Sequence, residues 1–163
     1  MKDLPSYELV NSLLAYDPET GVFTWREYRG GKAKAGVQAG HHRANGYLQI
    51  KVRWQYFEAQ RLAWLLSTGS WPRGHVDHLD GDPSNNRIRN LRDVSRQINA
   101  QNQRRPRDKS TSGFLGVSPH HGKFQARIGL DGRNLYLGTF KSPEEAHAAY
   151  LLAKRKLHEG CAI

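Results

Sequence analysis

HVDHLDGDPSNNRIRNLRDVSRQINAQNQ, residues 75–103, is the stretch on which the reading of this chain turns. Its first segment, HVDHL, sets Asp77 directly beside His78. DGDP, at 80–83, is turn chemistry, with Asp80 and Asp82 most simply its formers. NRIRNLRDV reads as a second strand carrying Asn90, and Ser95 opens a helix carrying Asn99. In isolation, Asp77 could be a capping residue and His78 a surface histidine.

Those four residue types at these spacings suit a small metal-dependent nuclease site. Cutting a phosphodiester needs a base to activate water, and a Lewis acid on oxygens whose charge grows in the transition state. One neutral imidazole and one hard divalent ion supply both. A hard ion prefers oxygen ligands, so a carboxylate and a side-chain amide fit it. Neighbours on a strand face opposite ways, so a local distortion or the metal geometry must let Asp77 and His78 serve one site.

The pattern V-D-H-x-D-G-D, then N-N-R, N-L and a helical Asn, resembles the core of HNH-type homing endonucleases. The resemblance runs upstream through YDPETGVFTW, GYLQIKV and RLAWLLSTGSWP, as in phage members. It implies a ββα-metal fold around one divalent ion, Mg²⁺ with Mn²⁺ as the alternative, and no structural zinc. By position, His78 would be the general base and Asp77 and Asn99 the metal ligands. Asn90 would tie the hairpin loop and hold His78 in register. Arg61 and Arg87 are candidates for DNA contact, Arg87 either as a clamp on a phosphate near the cut or simply as a solvated side chain. One departure stands out: relatives often have histidine where this chain has Gln60, and glutamine cannot become cationic. A DNA-binding protein that keeps the fold without cutting is therefore the alternative.

Outward from this stretch, the chain has 25 Lys and Arg against 15 Asp and Glu among 163 residues, a net charge of +10. Such a surface attracts polyanions, because neutralised phosphates release condensed counterions. A single cysteine excludes an internal disulfide and a multi-cysteine zinc cage. The N-terminus has no signal-peptide core, and no apolar run is long enough to cross a bilayer. An intracellular protein is expected, in the bacterial host cytoplasm if it is phage-encoded.

Ser6 is expected to cap a short helix with Leu9, Val10, Leu13 and Leu14 on its apolar side. DPETG ends it, and VFTWR follows as a strand. Residues 28–46 read as a loop whose basic residues are suited to phosphates. GYLQIKVRW alternates, with Leu48, Ile50 and Val52 on one face. FEAQRLAWLLSTG reads as a core helix stopped by Gly69.

Beyond residue 103, RRPRDKS is a basic tether, and Arg104, Arg105 and Arg107 suit it to a phosphate backbone. Three strand candidates follow: GFLGVS, KFQARIGL and NLYLGTF. The last two are joined through Asp131-Gly132, a hairpin signal. Ser142-Pro143-Glu144-Glu145 announces a helix with Ala146, Ala149, Tyr150, Ala153 and Leu157 as its stripe and Gly160 as its stop. SGFLGVSPHHGKFQARIGLDGRNLYLGTFKSPEEAHAAY resembles the Apetala-type DNA-binding domain of plant ethylene-response factors. That resemblance implies a sheet face in the major groove, here carrying Lys123, Gln125, Arg127, Arg133 and Tyr136, types that read base edges. Leu115 and Phe124 replace residues common in plant members, so their recognition sequence does not transfer.

The expectation is an α+β chain. It has an HNH nuclease domain over 1–103, a basic linker over 104–111, and over 112–163 a three-stranded antiparallel sheet packed on one helix. Its partner is double-stranded DNA, cut as a nick or a double-strand break, by a monomer or a dimer.

Overall fold

Ser6 begins the first helix by accepting the Leu9 N–H on its Oγ at 3.2 Å, and α1 runs Tyr7–Leu13. The computed structural model describes residues 4–103, 106, 110–158 and 161. Leu14, expected as the last apolar residue of α1, instead starts β1, Leu14–Tyr16, which pairs antiparallel with β2, Phe23–Trp25. The extended chain still buries Leu14, together with Val10, Phe23 and Trp25, while the strand pairing satisfies its backbone.

A three-stranded sheet follows, in the order β3 (His41–His42), β4 (Leu48–Val52) and β5 (Gln55–Glu58). The alternation expected of β4 is present: Leu48, Ile50 and Val52 are buried and Lys51 is exposed. Two expectations are corrected here. His41–His42, placed in a loop, pairs with β4, and Phe57–Glu58, placed in a helix, belong to β5. The second shift has a simple cause, because a two-residue turn at 53–54 brings these residues back opposite Gln49 and Ile50 in an antiparallel pair. Helix α2 is therefore Ala59–Thr68, ending at Gly69, and it buries Ala59, Leu62, Ala63 and Leu65 in the core.

Next comes β6, His75–His78, paired antiparallel with β7, Leu91–Val94. Val76 and Leu91 fix this hairpin to the same core as α1 and α2. Asn90, expected on the strand, is the last residue of a short 3-10 turn, Ile88–Asn90, just before β7. Helix α3, Arg96–Gln101, comes after β7.

The chain divides into two compact units, Met1–Arg96 and Gln97–Ile163. In the second, β8 (Val117–His120), β9 (Lys123–Leu130) and β10 (Arg133–Phe140) form an antiparallel sheet in the order β10-β9-β8. β8 starts later than GFLGVS suggests, because Gly113 and Gly116 take left-handed backbone at φ 70° and 75°. Asp131 and Gly132, at φ 48° and 76°, turn the hairpin as expected.

Helix α4, Pro143–Leu157, is capped by the Ser142 Oγ, which accepts the Glu145 N–H at 3.2 Å. Ala146 and Tyr150 are buried as expected, but Leu157 is exposed and Lys154 is buried instead. Its ammonium donates to the Gln103 carbonyl and lies 5.9 Å from the Tyr150 ring centroid, so the buried charge is partnered. The helix closes with the His158 N–H on the Lys154 carbonyl at 3.0 Å. Gly160, the expected stop, lies outside the described residues. Among the described residues no helix is long and apolar enough to cross a membrane.

Candidate active site

The β6–β7 register decides what each residue of the Asp-His pair faces. Asp77 lies opposite Arg92 and His78 opposite Leu91. Asp77 Oδ2 accepts from both Nε (3.1 Å) and Nη2 (2.8 Å) of Arg92. Such a charge-assisted pair fixes the orientation of the carboxylate. His78, 4% exposed, meets the Tyr47 ring edge-on at 5.9 Å, and its Nε2 stands 3.5 Å from Asn86 Oδ1. Asn86 Nδ2 donates to the Ser84 carbonyl at 3.2 Å, so its Oδ1 must be the end turned to the imidazole. A proton on Nε2 leaves Nδ1 as the basic nitrogen. Burial pushes the His78 pKa below its ordinary value, against the opposing pull of Asn86 and of the carboxylates of Asp80, Asp77 and Asp82. The net shift favours the neutral ring.

Asn90 closes the loop between the strands. Its Oδ1 accepts the Asp80 N–H (3.1 Å), while Nδ2 donates to Asp80 Oδ1 (2.9 Å) and to the Asn85 carbonyl (2.9 Å). Asp80 also accepts from the Asp82 N–H (2.9 Å) and from Asn85 Nδ2 (2.6 Å). Partial burial alone would raise its pKa, but these hydrogen bonds outweigh burial and keep its carboxyl below the usual range. Asp82 takes the Ser84 N–H and hydroxyl. Both acids are thus engaged within the turn.

The loop is braced from the far end of the first unit. The Tyr16 hydroxyl donates to the Asn86 carbonyl at 2.7 Å, and burial pushes that phenol up to about 12, so it remains a donor. Gly21 packs its α-carbon against the loop backbone: a Cβ there would stand 2.7 Å from the Arg87 nitrogen and the Asn86 carbonyl carbon. Asn86, Arg92, Tyr16 and Tyr47 were all missed as site residues by sequence reasoning. Asn86 was legible as the second letter of N-N-R, whereas Arg92 is identified by the β6–β7 register, which the long connection at 79–90 leaves open in the sequence.

The DNA-facing residues expected in the first unit have inward engagements. Arg61 donates to the Gly74 carbonyl at 3.1 Å with its guanidinium 5.7 Å from the Trp71 ring centroid, and Arg87 Nε donates to the Glu19 carbonyl at 2.7 Å. Gln60 is buried in α2, and its Oε1 has no hydrogen-bond partner among the described residues. In the second unit, the register puts Lys123, Gln125, Arg127 and Tyr136 on one face, with Ser118, His120 and Thr139 beside them. Arg133 pairs with Leu130, so alternation sets it on the opposite side from Arg127. Asn99 is half-buried on α3, within the second unit. Arg104, Arg105 and Arg107 lie outside the described residues.

Among the described residues no group of three or more His, Cys, Asp or Glu could hold a metal. That excludes a preformed carboxylate cage, but a Mg²⁺-type ion needs only one or two carboxylates, with water and phosphate oxygens completing its shell. An oriented Asp77 carboxylate fits such an ion.

Residues 57–101 match the family model described as HNH endonuclease, a likeness that supports a nuclease acting on DNA. Protein 3.8 of Escherichia phage T7 is 35% identical over 68 residues, 39% of this chain and 55% of that protein. Two AP2-like ethylene-responsive transcription factors of Arabidopsis thaliana, AIL5 and PLT2, are each 46% identical over 52 residues, 29% of this chain and 9% of theirs. The chain therefore spans about half of the phage protein and a small part of the plant factors. No solved structure matches it.

Proposed function

We propose that this chain is a metal-dependent endonuclease of the homing type that hydrolyses phosphodiester bonds in double-stranded DNA at the β6–β7 hairpin. The observation that carries the reading is His78: buried, neutral, fixed in one tautomer by Asn86, and next to a carboxylate held by Arg92. Nδ1 of His78 takes a proton from water, the oxygen attacks phosphorus in line, and the 3′ oxygen departs. The ends are then 5′-phosphate and 3′-hydroxyl. A divalent ion, Mg²⁺ or Mn²⁺, would be held by Asp77 and by Asn99, the second ligand that the family resemblance implies; when bound it neutralises the scissile phosphate and stabilises the leaving oxygen. Asn90 holds the loop that carries Asn86, and so acts on the base through its support.

Selection of DNA is assigned to the rest of the chain. In this reading 1–103 is the nuclease domain, 104–111 a basic linker and 112–163 an Apetala-type DNA-binding domain. The face formed by Lys123, Gln125, Arg127 and Tyr136 supports it, and the 52-residue likeness to AP2-like factors accords with it. Arg133 serves at the hairpin edge rather than on that face. A second reading, DNA binding without cutting, draws on buried Gln60, whose Oε1 has no hydrogen-bond partner among the described residues.

A metal titration separates the two. With genomic DNA, breaks should accumulate with Mg²⁺ and be absent with EDTA. Asp77→Ala should raise the Mg²⁺ concentration at half-maximal rate by more than about tenfold, since losing even an outer partner of a metal ligand has that effect. No breaks from the parent at any Mg²⁺ concentration would leave only the binding reading, and breaks that persist undiminished with EDTA would rule out the metal.

A further inference from the structure

Val52 pairs with Gln55, so Arg53 and Trp54 alone turn the β4–β5 hairpin. Such turns call for left-handed backbone, which glycine and asparagine supply without strain. Here an arginine takes it, with Arg53 at φ 53°. Next to it Trp54 is 89% exposed, whereas Trp25 is buried and Trp64 and Trp71 pack on the core. A strained arginine and a bare indole at one tip do nothing for the core, and features of that kind gather at binding sites.

The surroundings point to one ligand class. Lys51 extends its ammonium to 5.9 Å from the Trp54 ring centroid and 5.6 Å from that of Tyr56, and His41 meets Tyr56 edge-on at 5.5 Å. Beside the tip opens a groove of about 590 Å³ lined by Trp25, Arg29, Ala33, Lys51, Arg53 and Trp54. Three of those six carry positive charge and none is acidic; the exposed Glu27 carboxylate stands 3.4 Å from Arg29. Alternating cations and aromatic rings suit a strand whose phosphates and bases alternate in the same way.

We propose that this groove and hairpin tip bind single-stranded DNA, with an unpaired base stacked on Trp54 and the flanking phosphates on Arg53 and Arg29. The base must be unpaired, because a flat ring needs a π-face that the duplex keeps inside its stack. This rests on the reading that the chain acts on DNA, to which it adds a place for a strand that has left the duplex. Lys51 holds the indole from one side and adds a third cation for the backbone.

The test is equilibrium binding by the full-length His78→Ala chain, which keeps cleavage out of the measurement. The probes are a labelled thymidine oligonucleotide and a duplex of equal length. Trp54→Ala should weaken oligonucleotide binding about tenfold, as loss of one stacked base does, with duplex affinity unchanged and Trp54→Phe close to the parent. Arg53→Gly should raise Tm by relieving the turn, yet weaken the oligonucleotide and make its salt slope shallower by roughly 0.7, the value of one phosphate on a single strand. Unchanged oligonucleotide affinity in Trp54→Ala, or a parallel loss on duplex, would overturn the proposal. So would a Tm gain in Arg53→Gly without a loss of binding. A chain that binds the oligonucleotide through Trp54 but never cuts DNA retains the groove and loses only the nuclease reading.

Discussion

His78→Ala should reduce DNA cleavage by about 10²–10⁴-fold, the range that a positioned base contributes, and leave DNA affinity within about twofold. The imidazole is buried, so it presents little surface to the duplex, and its loss removes a proton acceptor rather than a docking contact. Single-turnover rates and binding isotherms on the same DNA separate the two quantities. His78→Asn is the useful companion, because it keeps polarity near Asn86 but has no basic nitrogen. Cleavage by both variants at the parent rate would remove His78 from the chemistry. Equal losses of rate and affinity would instead mean that the hairpin had come apart.

Asn90→Ala should destabilise the first unit by about 2–4 kcal/mol, since three hydrogen bonds vanish and the Asp80 N–H and Asn85 carbonyl lose their partner. In a unit of this size that is a fall in Tm of roughly 10–25 °C. Asn90→Asp keeps an oxygen for the Asp80 N–H but sets a second carboxylate against the Asp80 carboxyl, which is held ionised below its ordinary range. Its deficit should therefore be largest near neutral pH and shrink as acid protonates one of the pair. Thermal melts at pH 7 and near pH 4 read both effects. An Asn90→Asp deficit that does not change with pH would show that the loop is not held by this exchange of donor and acceptor.

What could be read in advance followed from local rules. The alternation of Leu48, Ile50 and Val52 fixed a buried face, and Asp131-Gly132 fixed a hairpin, because both depend only on neighbours in sequence. That hairpin also carried the register. A two-residue loop pairs 130 with 133 and 127 with 136, which already separates Arg133 from Tyr136. Leu14 and Lys154 were not legible in this way. Leu14 fits an apolar helix stripe and an antiparallel pair equally well, and pairing with Trp25, eleven residues on, decided between them. Lys154 sits where an apolar residue belongs, and partners that include the Gln103 carbonyl, far away in sequence, make that burial affordable.

At the site, Asp77, His78 and Asn90 were legible as types and spacings. Their partners came from tertiary contacts. Asn86 orients the imidazole, but its own position depends on Tyr16 and on the close approach of Gly21, both some seventy residues away. The turn DPETG reads as a connector and proves to be a brace.

The most direct test of the central claim is to map break ends on a fragmented genomic library incubated with the protein and Mg²⁺, with His78→Ala in parallel. The prediction is recurrent breaks bearing 5′-phosphate and 3′-hydroxyl ends in the parent reaction, lost with EDTA and lost in the variant. Breaks that persist undiminished with His78→Ala, or ends that carry 3′-phosphate, would contradict it.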